Sequence, residues 1–147
     1  MAVTKFLARD LVFEVETAVA DTFIAVGGIE SLQHSPSTNR ADSADFDSNG
    51  RSEHLVVERG DTWALDGFAL EDVANGDKDA GQARMELLAK SMGLTAHGRY
   101  RITSPGGNSI TFQGSVEVTG GGIGGGAHND ISKWAASVEV SGDIVYA

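Results

Sequence analysis

The sequence predicts an α+β, mainly-β fold: an antiparallel β-sandwich or barrel with one flanking α-helix and a long extended loop. Three observations predict it. Apolar residues recur with period two over most of the chain, the pattern of strands buried on one face. A single segment, near residues 79–93, is built from helix formers. One sixteen-residue stretch, Ser35–Gly50, has few large apolar residues and much turn chemistry. At 147 residues the chain has room for a single domain, 1–147.

Taken in order, Leu11, Phe13 and Val15 alternate with Val12, Glu14 and Glu16 to make a first strand, and the β-branched and apolar run Thr22–Val26 makes a second. Ser35–Gly50 is long for a structureless connection, and such loops are binding elements or disordered segments. Residues 35–60 are therefore expected to form a mobile arm that orders against a neighbour. Leu55–Glu58 reads as a short apolar strand, and Trp63–Leu70 continues the pattern less cleanly. In the helical segment, Met85, Leu88 and Met92 share one face. Asp79 is placed to cap its first turn, with Gln82 three residues on completing a capping box. Gly93 is placed to end it as the left-handed residue before Leu94. Tyr100 and Ile102 form the next strand. Ser109–Thr119 follows, with Ile110, Phe112, Val116 and Val118 on its apolar side. A glycine-rich loop at 120–128 precedes a long closing strand, Ser132–Tyr146. Gly114 and Gly142 inside these last two strands suggest a bulge or bend.

Charge excludes several function classes. Eleven Lys and Arg against 21 Asp and Glu give a net charge of −10, which argues against a surface that clamps phosphates by attraction. Eleven acids and four bases lie between Arg40 and Ala80, so most of the excess sits in and just after the arm. The absence of cysteine removes disulfides, thiolate catalysis and Cys-based zinc sites. No apolar run approaches a membrane span, and the first ten residues are too short in apolar character for a secretory signal. These features predict a soluble chain made in a cytoplasm.

No motif makes an active site, and the chain reads as a non-enzyme without a cofactor. Asp45-Phe-Asp-Ser-Asn-Gly50 matches the opening of a calcium loop, but its twelfth position, where a bidentate Glu is required, is Val56. A monomeric β-sandwich binding module with a weak calcium site at Asp45, Asp47 and Asn49 is the alternative reading. The G-x-G-x-x-G at Gly120, Gly122 and Gly125 is unavoidable where six of seven residues are glycine, and it opens no helix. His34, His54, His97 and His128 have no spacing that places two on one metal. Trp63 and Trp134 read as core or interface anchors.

A long acidic arm and strands too long for so small a domain remain. Together with Asp21-Thr-Phe-Ile-Ala-Val-Gly-Gly-Ile29, Glu53-His-Leu55, Arg59-Gly60, Asp79-Ala-Gly-Gln-Ala83, Ile102-Thr-Ser-Pro-Gly-Gly107 and Val116–Gly122, they give a chain that resembles the major tail tube protein of long-tailed, non-contractile bacteriophages. The resemblance implies a β-sandwich with a flanking helix, assembled as stacked hexameric rings whose strands join into a continuous barrel. The tube it implies surrounds a tape measure protein, contacts tail terminator and tail tip proteins, and lets viral DNA leave without specific binding. Its expected place is the virion tail, after synthesis in the host cytoplasm. Candidate inter-subunit contacts are Arg40, Asp42, Asp45, Phe46, Asp47, Arg51 and Arg59, and contacts between rings are also expected from the glycine loop and the first ten residues. Glu117, Glu139 and Asp143, on polar strand faces, are the candidates for the lumen.

Overall fold

Alternation leaves each strand one apolar face, and burying those faces together requires the sheet to fold over on itself. The computed structural model, which describes residues 3–46 and 49–147, shows this arrangement. Its strands are β1 (Val12–Glu16), β2 (Phe23–Ala25), β3 (Ile29–Asp42), β4 (His54–Phe68), β5 (Glu71–Asp72), β6 (Asp77–Lys78), β7 (Gly98–Thr103), β8 (Ser109–Val118), β9 (Lys133–Val140) and β10 (Val145–Tyr146), with one helix, α1 (Ala80–Lys90). Pairing is antiparallel throughout. One sheet runs β2-β1-β7-β8-β9-β4-β3, with β10 alongside β8, while β5 and β6 form a small separate hairpin. The layers of the expected sandwich are thus parts of a single rolled sheet. No described helix is long and apolar enough to cross a membrane.

The inner face is the core. Phe13 and Val15 of β1, Tyr100 and Ile102 of β7, Phe112 and Val116 of β8, Trp134, Ala136 and Val138 of β9, and Leu65 of β4 are buried together with Met85 and Leu88 of α1. An aromatic row crosses this face from β1 to β3. Phe13–Tyr100 and Tyr100–Phe112 centroids lie 5.8 Å apart, Phe112–Trp63 5.9 Å and Trp63–His34 4.5 Å. Such offset contacts add to the area buried by each ring.

The helix differs from its sequence reading at both ends. Asp79 caps it, accepting from Gln82 N–H at 3.1 Å and also from Gly27 N–H at 3.0 Å. Gln82 does not complete the capping box. Its buried amide donates instead to Gly27 O at 2.9 Å and Phe68 O at 2.8 Å, and accepts from Leu70 N–H at 3.2 Å. Three carbonyl and amide groups of neighbouring loops outcompete the local cap. At the other end the helix stops at Lys90, and Ser91 is extended. Gly93 is left-handed (φ +67°) but opens a separate 3-10 turn, and Met92 and Leu94 are exposed rather than on the core face.

The two strand glycines also differ from each other. At Gly142 (φ +85°) the pairing with β8 shifts by two residues, from Val140–Gly114 to Val145–Thr111, so the closing strand is broken by a bulge into β9 and β10. Gly114 is no bulge. It pairs regularly with Gly98 and Val140, and a Cβ there would collide with the Glu139 backbone carbonyl.

Candidate assembly interface

The largest departure from the sequence reading is the arm. Residues 35–60 are not an irregular loop: β3 continues to Asp42, β4 begins at His54, and the two are paired from Ile29–Gly67 out to Asp42–His54. Only 43–53 lies between them. β3 was missed because most of its side chains are exposed. Such a strand is specified by its ladder, not by an apolar stripe. Its Pro36 stands on an edge strand, where a missing N–H is tolerated.

This hairpin outruns the sheet. β9 pairs β4 only over Thr62–Phe68, so His54–Asp61 has β3 on one side and no described strand on the other. The far side of β3 likewise carries no further strand among the described residues. A two-stranded ribbon therefore projects from the body with both flanks unpaired, the condition that natural β-proteins cover or complete. Leu55, Val56 and Val57 on it are 62%, 45% and 66% exposed, so the run read as a strand lies outside the core. Val57 is the extra residue of a bulge between the pairs Asn39–Glu58 and Arg40–Val56.

The candidate contact residues lie along this ribbon. Arg40 and Asp42 are in β3 and Arg59 is in β4 opposite Thr38, while Asp45, Phe46 and Arg51 lie in the connection, with Phe46 fully exposed. Asp47 falls outside the described residues. At the root of the ribbon, His34 stacks on Trp63 and its Nε2 lies 2.6 Å from Asp61 Oδ1. Among the described residues no group of three or more His, Asp or Glu is placed to hold a metal ion.

The start of β1 and the start of β3 face each other across a gap. A groove of about 470 Å³ separates residues 8–13 from 28–33, lined by Leu11, Phe13, Val26, Ile29 and Leu32.

The outer face of the sheet is polar. Cross-strand rows Ser115–Glu139–Thr62–Ser35 and Glu117–Ser137–Ala64–Gln33 span β8, β9, β4 and β3 with small, acidic or amide side chains. Glu117 and Glu139 thus share one surface, while Asp143 does not sit on a strand at all. It lies in the bulge that Gly142 creates between β9 and β10.

On the same face, β7 contributes two arginines that are already engaged. Arg101 meets Glu14 of β1 at 3.0 and 3.2 Å, and Arg99 meets Asp21 at 2.9 Å and Glu16. Both guanidinium groups lie over the Phe23 ring, at 5.4 Å for Arg99 and 4.4 Å for Arg101. Hydrogen bonding to Asp21 raises Arg99 above its ordinary value, with Glu16 adding to it and burial opposing. The sequence reading missed this cluster. Its signal was the matched period of Glu14 and Glu16 against Arg99 and Arg101.

The fold matches chains of solved tail and baseplate assemblies over nearly its whole length. A chain from the tail of an empty gene transfer agent particle with C6 symmetry matches with TM-score 0.68 and 17% identity, over 97% of this chain and 99% of that one. A chain from the virion of a native gene transfer agent particle matches with TM-score 0.65 and 16% identity, over 97% and 99%. A chain from the six-fold symmetrised baseplate of the anti-feeding prophage matches with TM-score 0.58 and 9% identity, over 99% and 97%. No protein-family model matches the sequence, and no curated protein matches it. The chain therefore shares the fold of these tail, virion and baseplate components, and at these identities the likeness is one of fold alone.

Proposed function

We propose that this chain is a structural subunit of a phage-type tail tube, in which six copies close a ring and rings stack into a conduit for genome ejection. One observation carries the reading: the sheet ends in an unpaired edge at β3 and runs on into a ribbon open on both flanks, in a chain whose fold matches six-fold tail assemblies along nearly its whole length. Pairing around a ring removes every open edge at once. The exposed Leu55 and Val57, with Arg40, Asp42, Asp45, Phe46, Arg51 and Arg59, meet a neighbouring copy. Asp47 joins these contacts, and the glycine loop and the first ten residues contribute to contacts between rings.

The polar rows containing Glu117 and Glu139 face the lumen, and Asp143 lies at their margin. Small side chains, acids, and arginines already committed to acids leave few sites for phosphate to bind. Six copies of a chain with net charge −10 repel DNA and favour passage. A tape measure protein fills the lumen before the genome does, and terminator and tip proteins close the ends. The particle's tail is the working location, reached from the host cytoplasm.

The test is assembly. Sedimentation at rising concentration, with negative-stain images of the same samples, should show monomer giving way to rings or tubes with a central hole. Protein that stays monomeric even when supplied with its tail partners overturns the proposal.

A further inference from the structure

Two Asn-Gly pairs occur in the chain, Asn49-Gly50 and Asn75-Gly76. Both glycines are left-handed, with φ of +76° at Gly50 and +74° at Gly76. Their surroundings differ. Asn75-Gly76 closes the β5–β6 hairpin and is tied to Asp72 at three points. Gly76 N–H donates to Asp72 O at 2.6 Å, Asn75 N–H donates to the same carbonyl at 3.2 Å, and Asn75 Nδ2 donates to Asp72 Oδ2 at 2.9 Å. Asn49-Gly50 lies at the exposed tip of the ribbon, with Asn49 itself left-handed at φ +53°. At both glycines, chain neighbours apart, no described atom comes within 4 Å of where a Cβ would stand, so the difference lies in the Asp72 hydrogen bonds.

We propose that Asn49 is a site of spontaneous covalent modification, and that the fold protects Asn75 from the same reaction. The Gly50 amide nitrogen, after losing its proton to base, attacks Cγ of Asn49. A new N–Cγ bond closes a succinimide ring, the Cγ–Nδ2 bond breaks, and Nδ2 takes up a proton and leaves as ammonia. Ring closure meets least resistance when the attacking residue has no Cβ and a permissive backbone. Water then opens the ring. Attack at Cγ restores the main chain with aspartate, and attack at the main-chain carbonyl reroutes the chain through Cβ as isoaspartate. No oxidant or reductant is needed.

At Asn75-Gly76 both the nucleophilic nitrogen and the departing amide are held by Asp72, so the ring closes only after those bonds open. Each event at Asn49 adds one negative charge to a tip that already carries Asp45. The isoaspartate product also lengthens the chain path between β3 and β4 by one carbon.

The experiment incubates the folded protein at mildly alkaline pH. Peptides are mapped by mass spectrometry, and isoaspartate is detected by enzymatic methylation. Conversion at Asn49 should run several-fold faster than at Asn75, Asn49→Gln should abolish the fast phase alone, and in concentrated urea the two sites should converge. Equal rates in the folded protein, or an Asn49 that stays intact, overturns the proposal. The sample is kept dilute and its monomeric state checked by sedimentation, so that neither result depends on whether the chain assembles at higher concentration.

Discussion

The indole Nε1–H of Trp134 donates to Glu86 Oε1 at 3.3 Å inside the core, and the other carboxylate oxygen of Glu86 accepts from Lys78 Nζ at 2.9 Å. A buried acid thus joins the centre of β9 to the face of α1, and the lysine that balances it comes from the small β5–β6 hairpin. Glu86→Ala strands the indole N–H and opens a void, at a cost of about 2–3 kcal/mol. Glu86→Gln keeps an acceptor for Trp134 and gives up mainly the ion pair with a one-third-exposed lysine, worth at most about 1 kcal/mol. Urea denaturation of both variants checks the ordering.

Gln82 joins the start of α1 to the β2–β3 turn and to the residues that follow β4, through three hydrogen bonds made by one amide. Gln82→Leu leaves two carbonyls and an N–H without that partner and is expected to cost about 3 kcal/mol. Gln82→Glu is expected to be worse, because its carboxylate faces carbonyl oxygens to which it cannot donate. Thermal melting reads both.

Tyr100 is fully buried, and its hydroxyl finds no hydrogen-bond partner among the described residues. Tyr100→Phe is therefore expected to be neutral or to stabilise by up to about 1 kcal/mol. Burial pushes the phenol above its ordinary value, outweighing the opposing charge of Arg84. The folded state disfavours ionisation, so the stabilising contribution is full below the unfolded phenol's pKa of about 10 and falls as pH rises above it. Wild type should lose stability steeply in that alkaline range, and Tyr100→Phe should lose less, as read by denaturation midpoints against pH.

Arg101→Ala removes a part-buried two-point contact with Glu14 and a cation–π contact with Phe23. The expected loss is about 1 kcal/mol, smaller at high salt. Denaturation midpoints at two ionic strengths measure it.

On the ribbon, Leu55→Asp with Val57→Asp should leave the isolated fold within about 0.5 kcal/mol of wild type, because neither side chain belongs to the core. The same pair should abolish ring and tube formation. Unchanged melting with lost assembly is the expected signature, read by calorimetry and sedimentation.

The core strands were legible because their alternation is a direct imprint of one-sided burial: Tyr100 and Ile102 in β7, Phe112 and Val116 in β8, and Trp134, Ala136 and Val138 in β9 all face inward as the period requires. β3 was illegible for the opposite reason. Ser35, Pro36 and Ser37 bury little, and their regularity comes from partners in β4 some twenty-five residues away, which composition does not encode. The same long-range pairing decided Gln82, whose local role as a cap gave way to carbonyls brought near by the fold. Of the proposed surface, the acids of β8 and β9 followed from alternation. Asp143 did not, because the bulge at Gly142 breaks the count of strand positions just before it.

The hairpin formed by β3 and β4 also makes the molecule mechanically anisotropic. Traction on its tip along the strand axis loads the seven β4–β9 pairs from Thr62 to Phe68 in parallel, so they must fail together. Prying the tip sideways, away from β9, opens the β4–β9 ladder one pair at a time from Thr62–Glu139. The molecule is thus stiff to lengthwise pull and compliant to lateral peeling.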